Sequence, residues 1–152
     1  MDLNKVHKWE QTTVLILNLD GWELEWCGGE YEFYDAKGKT PKGIDCVIEM
    51  KFRKKYYETK MLEKAKYQRL MALPDNMLKF YFVNDPKGNY LFWLNEIKMP
   101  ETNELYCPDT TMWTKKRMDK EVYLLQESQA TIINLNQCEE THYTTNLQAN
   151  MT

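Results

Sequence analysis

The sequence has little of what zinc sites, disulfide frameworks and membrane spans require. Its four cysteines stand singly, without a C-x-x-C pair, and its two histidines, His7 and His142, lie far apart. This spacing predicts reduced thiols in a cytosolic protein and ordinary surface histidines, and it argues against a zinc site or a histidine-based triad. No apolar run approaches the ~20 residues that cross a bilayer, and residues 14–17 are too short for a secretory signal. We therefore expect a soluble, unexported, cytoplasmic protein that makes no membrane contact.

The length of 152 residues corresponds to about one domain, and a composition of 43% hydrophobic and 13% aromatic residues supplies enough apolar surface for a core. Residues 136–152 are polar, and no Lys or Arg follows Lys120. We predict a single domain over residues 1–135 and a polar, mobile tail over residues 136–152.

Charge is distributed unevenly along the chain. Residues 37–69 contain eleven Lys or Arg against four acids, a local balance of +7, which leaves −10 for the remainder of a chain whose net charge is −3. The basic block suggests a patch for a polyanion, although the solvated face of a helix would have the same composition. Charge alone leaves this choice open.

Hydrophobic periodicity and turn signals predict two helices and six strands. The predicted helices cover residues 2–18, capped by Asp2, and residues 54–73, which contain neither Gly nor Pro. The predicted strands cover residues 22–26, 30–34, 44–52, 77–83, 90–97 and 122–125. Residues 99–120 have no clear pattern. The order predicts an α+β fold with a mostly antiparallel or mixed sheet.

The chemistry depends on the hairpin around Pro41. The sequence Thr40-Pro41-Lys42-Gly43 is typical of a type I turn with a bulge at the glycine, so Thr40 is expected to pair with Ile44. The same register places Asp35 opposite Glu49, Lys39 opposite Asp45 and Phe33 opposite Lys51, all on one face of the sheet. Asp45 is then explained as the cross-strand partner of Lys39. The other face, which supplies the core, carries Cys46, Ile48, Met50 and Phe52.

Two carboxylates directly across a ladder repel each other, and a divalent cation removes that cost. Hard oxygen ligands with few protein contacts suit Mg²⁺, which takes the rest of its shell from water and phosphate. Lys51 lies on the same face as Glu49, where it could hold the scissile phosphate or assist a metal-bound water. Asp35, Glu49 and Lys51 therefore predict phosphodiester hydrolysis.

Four other D/E-x-K triplets compete with Glu49-Met50-Lys51, and they begin at Asp35, Glu58, Asp85 and Glu96. Glu58 is expected to be an exposed helix charge, and Asp85 is expected to cap its turn. Glu96 is the strongest rival, but a three-residue loop at residues 86–88 would place it opposite Leu78, where it has no acidic partner.

Asp35 followed by Glu49-Met50-Lys51 resembles the PD-(D/E)XK nuclease superfamily, and the similarity in element order extends over residues 2–97. No proline precedes Asp35, and Glu63 occupies the Gln position of the superfamily's Q-x-x-x-Y element, which ends here at Tyr67. The resemblance implies a restriction-endonuclease-like core: a helix, a three-stranded antiparallel meander, a second helix and two further strands.

The resemblance also implies roles for individual residues. Asp35, Glu49 and the carbonyl of Met50 would bind Mg²⁺, with Mn²⁺ as a substitute, while Lys51 orients the attacking water. Glu10 could be the accessory acid of resolvase-like members, although a plain surface glutamate is the better-supported reading. The predicted nucleic-acid contacts are Lys37, Lys39, Lys54, Lys55, Lys60, Lys64, Tyr67 and Arg69; Tyr67 could equally be a packing residue on the helix flank.

The implied activity is that of a magnesium-dependent DNA endonuclease, similar to the homodimeric resolvases and recombination nucleases that bacteriophages encode. This similarity favours branched DNA as the substrate and the host cytoplasm as the location. The alternative is a catalytically inactive nuclease-like fold that binds nucleic acid, or that binds a host defence protein through its acidic surface or tail.

Overall fold

The computed structural model describes residues 2–28, 32–108 and 117–134. Within these residues it has two α-helices, α1 (Leu3–Leu19) and α2 (Lys64–Met71). The strands are β1 (Glu23–Trp26), β2 (Ala36–Lys39), β3 (Asp45–Phe52), β4 (Thr59–Glu63), β5 (Leu78–Asp85), β6 (Gly88–Trp93), β7 (Asn103–Pro108), β8 (Arg117–Gln126) and β9 (Thr131–Ile132). The predicted tail over residues 136–152 lies outside the described residues, and the proposed domain boundary remains a prediction.

The large sheet has the strand order β1-β2-β3-β5-β6-β9, and only the β3–β5 pair is parallel among the described strands. A smaller sheet has the order β4-β8-β7. Helix α1 packs on one face of the large sheet through Val14 and Leu17, while α2 and the small sheet cover the other face. The α+β prediction with a mixed sheet is confirmed.

Helix α1 begins where the sequence predicts. The Asn4 N–H donates to the Asp2 carboxylate at 3.0 Å, so Asp2 satisfies one of the unpaired N–H groups of the first turn. Within the described residues, neither helix is long and apolar enough to cross a membrane.

The register predicted for the Pro41 hairpin is confirmed. The Thr40 N–H donates to the Ile44 carbonyl at 2.9 Å, and the ladder continues to the pair of Ala36 with Ile48. Gly43 has a φ of +80°, a backbone conformation that favours glycine. The predicted partners Lys39 and Asp45 form an ion pair at 2.9 Å. The core assignment is confirmed too, because the side chains of residues 46, 48 and 50 are buried and Phe52 packs against them.

The predicted strand over residues 30–34 is wrong for residues 32–34, which are irregular, while residues 30 and 31 lie outside the described residues. Strand β1 pairs with β2 instead, which leaves Phe33 exposed in a bend and outside the ladder that was expected to bring it opposite Lys51. Gly38 permits this pairing, because a Cβ there would collide with the Glu23 carbonyl of the neighbouring strand.

The predicted helix over residues 54–73 is wrong in its first half. Residues 54–58 are irregular, residues 59–63 form β4, and the helix begins only at Lys64. Lys60 and Leu62 alternate inward along β4, and the strand pairs with β8, about sixty residues later in the chain. This long-range pairing overrides the local helical pattern, and it places Lys60 and Lys64 on different elements.

The β5–β6 turn is one residue shorter than predicted. Asp85 pairs with Gly88, so the loop has two residues, and Glu96 lies in an exposed turn beyond β6 rather than opposite Leu78. The Asp85 carboxylate accepts the N–H groups of Lys87 at 2.8 Å and of Gly88 at 3.1 Å. Asp85 therefore caps the turn, as predicted, and this cap tightens the loop.

Strand β8 contains the predicted residues 122–125 but begins earlier, and its partner β7 falls in the region that had no clear pattern. Both were difficult to recognise because charged residues interrupt their apolar periodicity.

Candidate active site

The Pro41 hairpin fixes Asp35 against β3. The Asp35 N–H donates to the Ile48 carbonyl at 2.9 Å, and the Met50 N–H donates to the Asp35 carboxylate at 2.7 Å. Asp35 is half-buried, and Glu49 is only 6% exposed because α2 and the small sheet cover its face of β3. One acid and the Glu-x-Lys triplet therefore meet where β2 begins.

Lys66 joins this site from α2. Its Nζ lies 3.0 Å from the Glu49 Oε1 and forms an ion pair with that carboxylate. Lys66 was not among the predicted site residues, although its sequence position carries a signal: the apolar Leu70 follows one turn later on the same helix face. The structure buries Leu70. Lys66 therefore faces the sheet, whereas Arg69 is exposed and Lys64 forms an ion pair with a glutamate of β8.

Glu10 is not a surface residue, so that expectation is wrong. It is 4% exposed, because α1 presses it against the sheet, and the Trp26 indole N–H donates to its Oε1 at 3.3 Å. Burial and the charge of Asp35 raise the pKa of Glu10 to about 7. His7 is half-buried beside it, with its ring 5.2 Å from the Trp26 ring.

Burial and mutual repulsion disfavour the charged forms of the carboxyl groups in the site. Burial, followed by the charge of Asp35, raises the pKa of Glu49 to about 7, although Lys66 and Lys51 act in the opposite direction. Burial also raises the pKa of Asp35 against the opposing hydrogen bond from Met50. Burial and the neighbouring cation Lys66 lower the pKa of Lys51. Such perturbed groups around a cleft are typical of functional sites.

A cleft of about 550 Å³ opens over this site. Asp35, Glu49, Met50, Lys51 and Lys66 are among the residues that line it. Within the described residues, no group of three or more His, Cys, Asp or Glu side chains is arranged to hold a metal ion. The two repelling carboxylates and the Met50 carbonyl nevertheless fit a hard cation that completes its shell with water and phosphate.

The predicted nucleic-acid contacts are dispersed. Lys54 and Lys55 are exposed and line the cleft. Lys37 lines a different cleft, beside Glu25 and Asp45.

The other predicted contacts have protein partners or lie on α2. Lys39 is paired with Asp45, and Lys64 with Glu121 at 2.8 Å. Tyr67 packs its ring 5.1 Å from that of Tyr123, which fits a packing residue on the helix flank. Arg69 is exposed on α2.

The structure contradicts the assignment of Lys60 as a phosphate contact. Its side chain is 2% exposed, and its Nζ lies 2.6 Å from Asp85 and 3.0 Å from Glu127. Because β4 turns this ammonium inward, Lys60 belongs to the interior of the protein.

Neither a protein-family model nor a curated protein matches the sequence. Among solved structures, the fold is similar to that of Hjc, a Holliday junction resolvase from the archaeal hyperthermophile Archaeoglobus fulgidus. The TM-score is 0.57 at 14% identity, and the match covers 83% of this chain and 89% of the resolvase. The chain therefore has the restriction-endonuclease-like fold that its resemblance to the PD-(D/E)XK superfamily implied.

Proposed function

We propose that this protein is a magnesium-dependent DNA endonuclease that acts in phage DNA recombination or processing, with Mn²⁺ as a substitute ion. The observation that carries the proposal is the 2.7 Å hydrogen bond from the Met50 N–H to Asp35, which holds an acid beside Glu49-Met50-Lys51. Similarity of fold to a Holliday junction resolvase favours branched DNA as the substrate.

In this proposal, Asp35, Glu49 and the Met50 carbonyl would hold the ion, and Glu10 would be the accessory acid, contributed by α1. A divalent ion bound there would neutralise phosphate charge and acidify a water molecule. Lys51 would orient the attacking water or hold the scissile phosphate. Its lowered pKa eases exchange of a proton with the water.

Lys54 and Lys55 would contact DNA phosphates at the cleft, with Lys37, Lys39, Lys64, Tyr67 and Arg69 as outer contacts. Backbone contacts of this kind make binding sensitive to salt and insensitive to sequence. A homodimer would place two such sites on one branched molecule.

The direct test incubates the purified protein with supercoiled plasmid and with a four-way junction in Mg²⁺, in Mn²⁺ and in EDTA. Glu49→Ala and Lys51→Ala should each reduce cleavage at least about a hundredfold, because the first removes a ligand of the ion and the second removes the group that orients the water or holds the phosphate. Glu96→Ala is the matched control, since it removes the exposed acid of the rival triplet. Cleavage that survives both site substitutions would refute the assignment.

One observation favours the inactive alternative. Lys66 already bonds Glu49, so the site is partly charge-balanced without a metal ion. A protein that cleaves no substrate under any condition but still binds the junction would be a nucleic-acid-binding module. If the protein neither cleaves nor binds the junction, the remaining alternative is a host defence protein that binds its acidic surface or tail.

A further inference from the structure

Lys66 and Glu49 form an ion pair with unequal partners. The Glu49 side chain is 8% exposed and lies within β3, whereas the Lys66 side chain is 34% exposed. A lysine ammonium on a flexible four-carbon stem can move into solvent at little cost, and a buried strand carboxylate cannot. Lys66 is therefore the partner that can leave.

Lys60 is the contrasting case, because several partners hold its ammonium in place. Its ammonium is bonded to the Tyr57 carbonyl at 2.6 Å as well as to Asp85 and Glu127, and the Tyr90 ring lies 4.3 Å away. For Lys66, the hydrogen bonds and ion pairs identified within the described residues join it to Glu49. The charges of Glu63 and Asp35 also attract Lys66, but it has fewer direct bonds to lose than Lys60.

We infer that Lys66 is an exchangeable counter-ion of Glu49, which gives up the carboxylate to the metal ion and then contacts a phosphate of the DNA. The inference rests on the proposed function and adds a residue to it. The Lys66 ammonium donates a hydrogen bond to the Glu49 Oε1 at 3.0 Å, and this oxygen is one that the metal ion would need. Lys66 also lines the same cleft as Lys51 and Lys54, so the released ammonium stays beside the bound phosphate.

The first measurement is metal affinity, by titration calorimetry with Mn²⁺ in the absence of DNA at mildly alkaline pH. Lys66→Met should bind the ion about tenfold more tightly than the unmodified protein, because the competing ammonium is gone. Lys66→Gln, which keeps a hydrogen-bond donor beside Glu49, should change in the same direction and serves if the methionine variant folds poorly. Lys120→Met is the matched control, since Lys120 forms another half-buried pair, with Glu63 at 3.1 Å.

The second measurement is binding of the four-way junction in Ca²⁺ over a range of salt concentrations. Both Lys66 variants should bind the junction several-fold more weakly, and the salt dependence of their affinity should fall by about one phosphate contact. Lys120→Met should bind the junction with the affinity and salt dependence of the unmodified protein.

The outcomes separate the two proposals. Tighter ion binding together with weaker junction binding supports the exchange. If the unmodified protein binds Mn²⁺ but the Lys66 variants bind it no more tightly, or bind the junction equally well, the inference is overturned and the proposed nuclease stands. If neither the unmodified protein nor any variant binds the ion, the proposed function itself fails.

Discussion

Two groups of lysines and carboxylates lie inside this protein, and they are built differently. The site cluster consists of Glu10, Asp35, Glu49, Lys51 and Lys66. The inter-sheet cluster consists of Lys60, Asp85 and Glu127; Lys60 belongs to the small sheet, Asp85 to the large sheet, and Glu127 follows β8.

In the inter-sheet cluster both carboxylates form ion pairs with Lys60. Burial disfavours charged Lys60, but its bonds to Asp85 and Glu127 outweigh this and raise its pKa. Hydrogen bonds from Tyr56 and Lys60 lower the pKa of Glu127. In the site cluster, the pKa values of Glu10 and Glu49 are raised to about 7 and that of Lys51 is lowered. The Lys60–Asp85 pair is charge-balanced as folded, whereas the site cluster would be relieved by an additional cation.

The largest expected effect is on the inter-sheet cluster. Lys60→Met should reduce the free energy of unfolding by about 3–5 kcal/mol, because it leaves the Asp85 carboxylate buried without its cation. Urea denaturation measures this change, with Lys64→Met as an exposed lysine control. A loss of less than about 1 kcal/mol would show that water compensates the buried charge.

The pH dependence should separate the clusters next. The folded-state pKa values of Glu10 and Glu49 are raised from 4.5 to about 7, so the folded protein keeps protons that the unfolded chain releases. This stabilisation is complete below about pH 4.5 and is lost as the pH rises through about 7. The melting temperature of the EDTA-treated protein should therefore fall by several degrees between about pH 5 and pH 8. A melting temperature that stays constant or rises over this pH range would contradict the raised pKa values of Glu10 and Glu49.

A single substitution should remove part of this pH dependence. Glu49→Gln should stabilise the metal-free protein by about 1 kcal/mol at mildly alkaline pH, since it removes a buried charge that repels Asp35. The same variant should lose DNA cleavage. Thermal unfolding alongside the plasmid assay tests both expectations, and a variant that is less stable than the unmodified protein would indicate that the Lys66 pair dominates.

The smallest effect is expected at the exposed pair of Lys39 and Asp45, whose side chains are 49% and 60% exposed. Lys39→Ala should leave the urea midpoint within the scatter of replicate measurements, because water screens such pairs. A clear loss of stability would mean that this pair anchors the hairpin.

The sequence predicted those features that short-range chemistry determines. Pro41 and Gly43 specify a loop, the loop specifies the register, and the register brings Asp35 to β3. The cap at Asp85 was predictable for the same reason, since its carboxylate bonds N–H groups two and three residues away.

The features that were missed depend on contacts distant in sequence. Residues 59–63 form a strand only because β8 pairs with them, and Lys60 is buried only because Asp85 and Glu127 meet it there. Lys66 acquires its place when α2 packs over β3. Glu10 is buried only because α1 packs against the sheet, and the helix sequence alone does not reveal this contact.

The register set by the short loop at Pro41 gives this protein a simple route to inactivation. Side chains alternate between faces along a strand, so one extra residue within β2, between Asp35 and that loop, would turn Asp35 away from Glu49. A one-codon insertion could thus convert the proposed enzyme into a binding protein while every charged residue of its site remained in the gene.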